Sequence, residues 1–423
     1  MDKKIRNTLC SLLLVSVVLT GCNKASPSDL MKNMTDENKE ITSTEDPSAV
    51  KDNDYAKVPE NPDKDPDLYI NVTDLSGKTL AAIESAESGM IVPDMGVFYL
   101  CNDEYRLTKV NIDGKQEDII LGSAKDYSYE TFYARTCIGD KLYTLAIKGD
   151  LYDQKEDQLY LLEFDLKEGK KNEYLISDNG FPYASLTSFN DKVVLFFHDQ
   201  KDSLTDRIIE FDTATKEIRE VTTYRLDNGL VGESVRSLYA DRDNLYVLKA
   251  IYKGTTDISM AVDVLDSGYK KTKEYDITVP MLKAVNDCTN MEDLNELIQA
   301  VSSFNIIDGR YLYYENFSVS RAFIDLKDSS VLYGIPEPFT SSSGNGPKVF
   351  YSVFCSASKD TIDPRAIYIF EKGELKKIPT AILDDGQQIS SVSASPDGNY
   401  MFTICGKDNK IIMTKIVTSS ELR

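Results

Sequence analysis

The stretch DRDNLYVLKA at residues 241–250 joins a polar turn to an apolar run of strand-forming residues, and this combination recurs along the chain. Asp and Asn favour tight turns, whereas Tyr, Leu and Val suit a buried strand. The other copies are PDMGVFYLC (93–101), IGDKLYTLAI (138–147), FNDKVVLFF (189–197), IDGRYLYYEN (307–316), GPKVFYSVFC (346–355) and SPDGNYMFTIC (395–405). A recurring turn and strand predicts a repeat architecture made of β-strands.

A second element follows most of these copies and consists of an apolar run, a polar turn and a charged strand. Its examples are LYLLEFDLKEGKKNEYLI (159–176), RIIEFDTATKEIREV (207–221), RAFIDLKDSSVLYGI (321–335) and AIYIFEKGELKKI (366–378). The copies are mostly about 40–50 residues apart, a length that four antiparallel strands and their turns fill, and such a period is typical of β-propeller blades. We therefore predict an all-β fold, a β-propeller with seven blades of about 51 residues each over residues 68–423. Six or eight blades are alternatives.

The position of each strand within a blade follows from its pattern. The recurring apolar run is predicted to be the first, innermost strand, because neighbouring blades cover both of its faces. The charged strand is predicted to be the outermost, because its edge faces water. The last repeat (390–417) holds three strands, and LYINVTDLSGKTLAAI (68–83) precedes the first copy. We expect an N-terminal strand to complete the last blade and close the ring.

The hexapeptide SPDGNY, from Ser395 to Tyr400, resembles the repeats of TolB-like propellers. The related stretches VPDMGVFY and IIDGRYLYY match the pattern less closely. The resemblance implies a propeller and a protein-binding scaffold of the periplasm or cell surface. It implies no activity, because propellers carry many different functions.

The N-terminus indicates export and lipid anchoring. Lys3, Lys4 and Arg6 precede an apolar run that is too short to span a bilayer, as in a secretory signal. The residues Leu19 to Cys22 (LTGC) resemble the lipobox of bacterial lipoproteins. This resemblance implies a signal peptide at 1–21, cleavage before Cys22 and lipid attachment to the Cys22 thiol. The polar, charged residues 22–67 are predicted to form a disordered linker.

Composition excludes several functions. The formal net charge of −21 argues against nucleic acid as a partner, because phosphate backbones attract Lys and Arg. A single histidine, His198, disfavours histidine-based metal sites and serine–histidine triads. The five cysteines beyond Cys22 are widely spaced and show no metal or disulfide pattern. We predict no catalytic residues, no cofactor and no metal site.

One segment departs from the strand repeat. In CTNMEDLNELIQAVSSF (288–304), Thr289 and Glu292 fit a helix capping box. Leu294, Leu297, Ile298 and Val301 then follow helical spacing, which predicts one short amphipathic helix inserted in the propeller. These four residues are the candidate partner-binding positions. The alternative is an insert that packs on the rim without a binding role.

Three functions compete. The first is a monomeric lipoprotein anchored to the extracytoplasmic face of the cell membrane, whose propeller binds an envelope protein, peptide or glycan. The alternative is a carbohydrate-active hydrolase or lyase that uses carboxylates in the central channel. A solute-binding lipoprotein is disfavoured, because that class has two α/β lobes. We favour the binding module over an enzyme, because the sequence carries no catalytic constellation.

Overall fold

The computed structural model describes most of the chain from Leu68 to Thr418. The described residues are 68–71, 89–92, 96–101, 103–110, 116–127, 129–149, 158–181, 185–199, 201–202, 204–227, 231–254, 257–278, 301–316, 320–336, 350–353, 367–371, 373–378, 389–394, 400–405 and 410–418. They form 28 strands and almost no helix. The chain is therefore all-β, as the sequence predicted. Among these residues no helix is both long and apolar enough to cross a bilayer.

The strands are numbered in chain order. They are β1 (Leu68–Asn71), β2 (Gly89–Val92), β3 (Gly96–Cys101), β4 (Glu104–Val110), β5 (Gln116–Ser123), β6 (Tyr129–Ile138), β7 (Lys141–Lys148), β8 (Gln158–Asp165), β9 (Lys170–Ser177), β10 (Gly180–Phe181), β11 (Leu186–Phe189), β12 (Lys192–Asp199), β13 (Thr205–Asp212), β14 (Ile218–Asp227), β15 (Val231–Ala240), β16 (Leu245–Lys253), β17 (Ile258–Leu265), β18 (Lys271–Asp276), β19 (Val301–Ile307), β20 (Tyr311–Asn316), β21 (Ser320–Asp325), β22 (Ser330–Pro336), β23 (Phe350–Val353), β24 (Ile367–Glu371), β25 (Glu374–Ile378), β26 (Ile389–Ala394), β27 (Tyr400–Cys405) and β28 (Lys410–Thr418).

Consecutive strands pair antiparallel in successive groups, which we number as sheets. Sheet 1 is β2–β5, sheet 2 is β6–β9, sheet 3 is β10–β14, sheet 4 is β15–β18, sheet 5 is β19–β22, sheet 6 is β23–β25 and sheet 7 is β26–β28. In sheet 3 both short strands β10 and β11 pair with β12. Strand β1 pairs with β28, so the beginning of the described chain adds a fourth strand to sheet 7. Successive four-stranded antiparallel sheets of this kind are typical of propellers.

Sheets 3 and 4 are connected by a short stretch of strand pairing. Only two residue pairs connect β14 to β15, Leu226 with Gly232 and Asp227 with Val231. Gly232 has a φ of +129°, and a Cβ atom on it would lie 2.1 Å from the carbonyl oxygen of Arg225. Glycine is required there because any side chain would collide with the neighbouring backbone.

In six of the sheets the recurring apolar run follows another strand and is therefore not the first strand, contrary to the prediction, whereas in sheet 6 it is β23, the first strand described there. Strands β3, β7, β12, β16, β20 and β27 each have another strand before them in the same sheet. The second strand is almost wholly buried, as in the pattern of β16, whereas the first strand β15 alternates between buried and partly exposed residues. Burial on both faces therefore produces a continuous apolar run one strand further out than expected.

Neighbouring sheets pack face to face through alternating side chains. In sheet 2, Leu142 and Ala146 join a buried cluster with Phe98 of sheet 1, whereas Tyr143 and Leu145 join a cluster with sheet 3. Successive side chains of a strand point to opposite faces, so apolar residues at both parities bury both faces. The same arrangement links sheets 3 and 4 and sheets 4 and 5. Each large buried side chain contributes about 1.5–3 kcal/mol.

The fourth strands are the exposed ones, as the charged pattern predicted. In β18 every residue except Tyr275 is exposed, and in β9 half of the residues are exposed and the rest are partly buried. Lysine and glutamate along such a strand discourage pairing with other chains.

Candidate functional site

The residues singled out from the sequence lie mainly outside the described part of the chain. Cys22, Leu294, Leu297 and Ile298 are not among the described residues. Val301 is described and begins strand β19, where it pairs with Asn316. The prediction of a helical Val301 is therefore wrong. The hairpin partner β20 fixes residues 301–307 as a strand, and the helical spacing at Val301 arose by coincidence.

An acidic residue recurs in the third strands of sheets 2, 3 and 4, and it is not among the residues predicted from the sequence. Glu163, Glu210 and Asp263 have side chains that are 1%, 5% and 2% exposed. The related segments LLEFD (161–165) and IIEFD (208–212) carry the first two. A buried charge is tolerated only when it is paired, so each acid requires donors close by.

Glu163 accepts hydrogen bonds from its own sheet and from the next one. Lys141 and Tyr143 of β7 donate over 3.1 and 2.9 Å. Lys216, from sheet 3, donates over 2.6 Å. Burial alone would raise the pKa of Glu163, but the donors Lys216, Tyr143, Asn172 and Lys141 lower it to about 2. Glu163 is therefore ionised and fully engaged at neutral pH.

Glu210 repeats this arrangement with a different donor from the next sheet. Lys192, at the position equivalent to Lys141, donates to Glu210 over 2.8 Å, and Arg219 of β14 donates over 3.0 Å. The hydroxyl of Tyr269, from sheet 4, donates over 2.6 Å. Although burial raises the pKa of Glu210, the Lys192 and Tyr269 hydrogen bonds lower it overall.

Asp263 belongs to a larger charged cluster. The ammonium of Lys249, which is fully buried, lies 3.0 Å from Asp263 and 2.7 Å from Glu233. Lys271 contacts Asp263 over 2.8 Å, and the hydroxyl of Tyr224 in sheet 3 donates to it over 3.0 Å. Here the preceding sheet supplies the donor, in contrast to Glu163 and Glu210.

The residues that reach Glu163 and Glu210 from the next sheet share one backbone position. Lys216 and Tyr269 lie in the turn between third and fourth strands with φ of +64° and +62°. We call the residue at this position the bridging turn residue. In sheet 5 it is Ser329, whose hydroxyl donates to the carbonyl of Asp276 over 3.4 Å. In sheet 6 it is Gly373, where a Cβ atom would lie 2.8 Å from the Tyr311 hydroxyl.

A different buried carboxylate joins sheets 3 and 4 at the opposite end of the strands. The side chain of Asp206 is 3% exposed. It accepts one hydrogen bond from the Ser234 hydroxyl and one from the Val235 backbone N–H, both over 2.8 Å. Nδ1 of His198 lies 3.0 Å from Asp206. Ser234 therefore contacts the aspartate and not the histidine, which is not the order of a serine–histidine–aspartate triad.

Glu163 and Glu210 act as fixed charges. Asp325, at the end of β21, is also buried and accepts a hydrogen bond from Arg310 over 2.9 Å. An acid catalyst needs a raised pKa, but the pKa values of Glu163, Glu210 and Asp325 are all lowered by their donors. Within the described part of the chain no group of three His, Cys, Asp or Glu side chains is placed to hold a metal ion. The clusters are suited to joining sheets.

A shallow cavity of about 360 Å³ opens between sheets 2 and 3, beside the Glu163 cluster. Its lining includes Lys141, Tyr143 and the exposed ion pair between Lys167 and Asp140. Thr213 and Ala214, next to the bridging turn of sheet 3, form its far wall. Mixed charges and few apolar side chains give the cavity no preference for one class of ligand.

A second cluster, at the seam of sheets 1 and 2, surrounds the ammonium of Lys148 with aromatic rings. This ammonium lies 4.5 Å from the ring centre of Tyr160 and 5.3 Å from that of Tyr127. Glu173 contacts it over 2.8 Å. Partial burial raises the pKa of Glu173, but hydrogen bonds from Lys148 and Tyr127 lower it overall. The four residues come from separate segments, so no sequence motif indicates that they lie together.

Comparison with known proteins gives similarity of fold only. No protein-family model and no curated protein matches the chain. The chain is similar to the β-propeller domain of the Trilobed protease from Pyrococcus furiosus, with 10% identity, coverage of 69% of this chain and 83% of that one, and a TM-score of 0.40. It is similar to the C-terminal WD40 domain of Sif2, with 10% identity, coverage of 81% and 97%, and a TM-score of 0.39. An acylaminoacyl peptidase shares 10% identity over 69% of this chain, with a TM-score of 0.43, and the chain spans 46% of that protein.

Proposed function

We propose that this protein is a lipid-anchored β-propeller that binds an envelope protein, peptide or glycan on the extracytoplasmic face of the cell membrane. The propeller has seven blades of four strands, closed by the N-terminal strand, and works as a monomer. Cys22 carries the lipid, and residues 22–67 tether the propeller. The helix predicted around Leu294, Leu297 and Ile298 is one candidate contact surface.

The strand contacts support a closed ring. The seven groups of strands follow one another along the chain. The pairing of β1 with β28 adds an N-terminal strand to the last sheet, as a closed ring would require. Strand β26 of sheet 7 contacts β23 of sheet 6 and also β2 of sheet 1, so the last sheet has neighbours on both sides.

The observation that carries the binding role is the state of the buried carboxylates. Glu163, Glu210, Asp263, Asp206 and Asp325 are each held by donors that join strands or sheets. A glycoside hydrolase needs one protonated carboxyl group beside an ionised one. The pKa of Glu163, at about 2, is the opposite of a proton donor's. A rigid frame with satisfied charges suits presentation of a surface to a partner.

Lipid anchoring is tested by labelling cells with an alkyne-bearing fatty acid. We expect the wild-type chain to take up the label and to sediment with membranes, and a Cys22→Ala chain to do neither. Cys10→Ala is the matched control, because it lies inside the predicted signal. A labelled Cys22→Ala chain would contradict the proposal.

The binding role is tested by cross-linking the tagged full-length chain in intact cells of the source organism. We expect one partner to be recovered repeatedly and to bind the purified chain with saturation. Co-sedimentation with purified cell-wall glycan tests the other class of ligand. Release of reducing sugar from that glycan by the purified chain, without a recovered partner, would favour the hydrolase or lyase instead.

A further inference from the structure

Tyr127, Tyr160 and Glu173 form a small site whose present occupant is the side chain of Lys148. We call these three residues the ammonium cage. The ammonium of Lys148 lies within 5.3 Å of both ring centres and 2.8 Å from Glu173. Aromatic faces with one carboxylate are the usual surroundings of a bound ammonium group, and about 6 Å is the limit for such contacts.

We propose that the ammonium cage binds a lysine side chain of a partner protein, and that Lys148 fills the cage until the partner displaces it. The inference rests on the proposed binding function and names the chemistry of the partner. The ligand class follows from the occupant itself, because Lys148 shows that the cage accepts a primary ammonium on an alkyl stem.

The cage walls are held by contacts that do not involve Lys148. The Tyr127 hydroxyl donates to Glu173 over 2.5 Å and accepts from Lys171 over 2.8 Å. The Tyr160 hydroxyl donates to Gln158 over 3.0 Å. Tyr127 is 9% exposed. The walls therefore keep their places when the occupant leaves, which lowers the cost of binding a new one.

Lys148, in contrast, is easily displaced. Its side chain is 29% exposed, and that of Glu173 is 39% exposed, so solvent screens their ion pair. Lys148 is the last residue of β7, and its long side chain has water as an alternative to the cage. Exposed pairs of this kind hold their partners only weakly.

The charge of the whole chain favours a basic partner. At −21 the protein attracts cations over distances longer than a contact, which speeds association with a lysine-bearing surface. The ammonium of Lys171 lies 4.6 Å from the Tyr127 ring centre and opposes a second cation there. We therefore expect modest affinity that weakens further with added salt.

The experiment compares the full-length wild-type chain with Lys148→Met, which keeps the alkyl stem and removes the charge. Both are purified in a maltoside detergent, because detergents with quaternary ammonium head groups would compete. Binding of n-butylammonium is measured by saturation-transfer NMR. We expect Lys148→Met to bind it about two- to five-fold more tightly than wild type, since an exposed pair is worth about that factor.

The control is the double variant Lys148→Met with Tyr160→Leu, which removes one wall and is expected to lose the gain. Equal binding by the single and double variants would overturn the proposal. Tighter binding of tetramethylammonium than of n-butylammonium would overturn the lysine assignment in favour of a quaternary ammonium ligand. If Lys148→Met lowers the thermal unfolding midpoint, Lys148→Gln replaces it in the same comparison. Loss of partner capture with intact cage binding would count against the proposed function and not against the cage.

Discussion

Glu163 and Glu210 occupy the same position in neighbouring sheets, yet different groups reach them across the seam. A lysine ammonium, from Lys216, reaches Glu163, whereas a phenol hydroxyl, from Tyr269, reaches Glu210. Both donors come from the bridging turn residue of the following sheet, and both acids keep a lysine from their own second strand. The third strand therefore carries the acid at a constant position. The bridging turn residue of the following sheet determines which group donates to that acid across the seam, by which we mean the contact between neighbouring sheets.

The largest effect is expected from Glu163→Gln. The carboxylate has a pKa of about 2 in the folded chain and an ordinary value of 4.5 when unfolded, so it stabilises the fold by about 3 kcal/mol at neutral pH. That contribution is complete above pH 4.5 and is lost as the pH falls through about 2. In urea unfolding at pH 7, the free energy of unfolding of wild type should be well above that of the variant. The two free energies should converge as the pH approaches 2.

Glu168→Gln is the matched control for that experiment. Glu168 lies in the next turn of the same sheet, its side chain is 59% exposed, and its ion pair with Lys170 is open to water. We expect the free energy of unfolding of Glu168→Gln to equal that of wild type at every pH. A Glu163→Gln variant whose deficit persists unchanged at pH 2 would show that packing, and not charge, accounts for the loss.

A smaller effect is expected from Lys216→Met. The variant removes the donor from sheet 3 but leaves Glu163 paired with Lys141 and Tyr143. We expect a loss of about 2 kcal/mol at pH 7, as for a hydrogen bond to a buried charged group, measured by urea unfolding. Lys216→Gly distinguishes the effect of backbone strain from that of the lost contact. Glycine relieves the positive φ but, like methionine, lacks the ammonium. Stability equal to wild type in both variants would deny Lys216 a role in the seam.

Tyr269→Phe is expected to cost less than Lys216→Met. Glu210 loses one hydroxyl donor but keeps two cations, Lys192 and Arg219. The phenylalanine ring preserves the edge contact with Phe189, whose centre is 5.8 Å away. We expect a loss of about 1 kcal/mol in urea unfolding at pH 7. A loss greater than that of Lys216→Met would reverse the comparison between the two seams.

The sequence was sufficient for the all-β class and for the repeat, because apolar runs and polar turns report local structure. It was misleading about which strand the run occupies, because continuous burial depends on neighbouring sheets and not on distance from the axis. The helical spacing at Val301 failed for a related reason, since pairing with β20 outweighs a local pattern. LLEFD and IIEFD contained a signal for the buried acids, but the donors Lys216 and Tyr269 lie far along the chain.

The smallest effect is expected at the seam of sheets 4 and 5, where the bridging turn residue is Ser329. Its hydroxyl makes one long bond, 3.4 Å, to the carbonyl of Asp276, and its φ of +58° is unfavourable for a residue with a Cβ atom. In Ser329→Gly the loss of the hydrogen bond lowers the free energy of unfolding, whereas the relief of the positive φ raises it. We expect the free energy of unfolding to stay within about 0.5 kcal/mol of wild type. A loss as large as that of Lys216→Met would mean that the serine side chain stabilises this seam as strongly as a lysine paired with a buried carboxylate does, so that the length of the bond does not decide the strength of the seam.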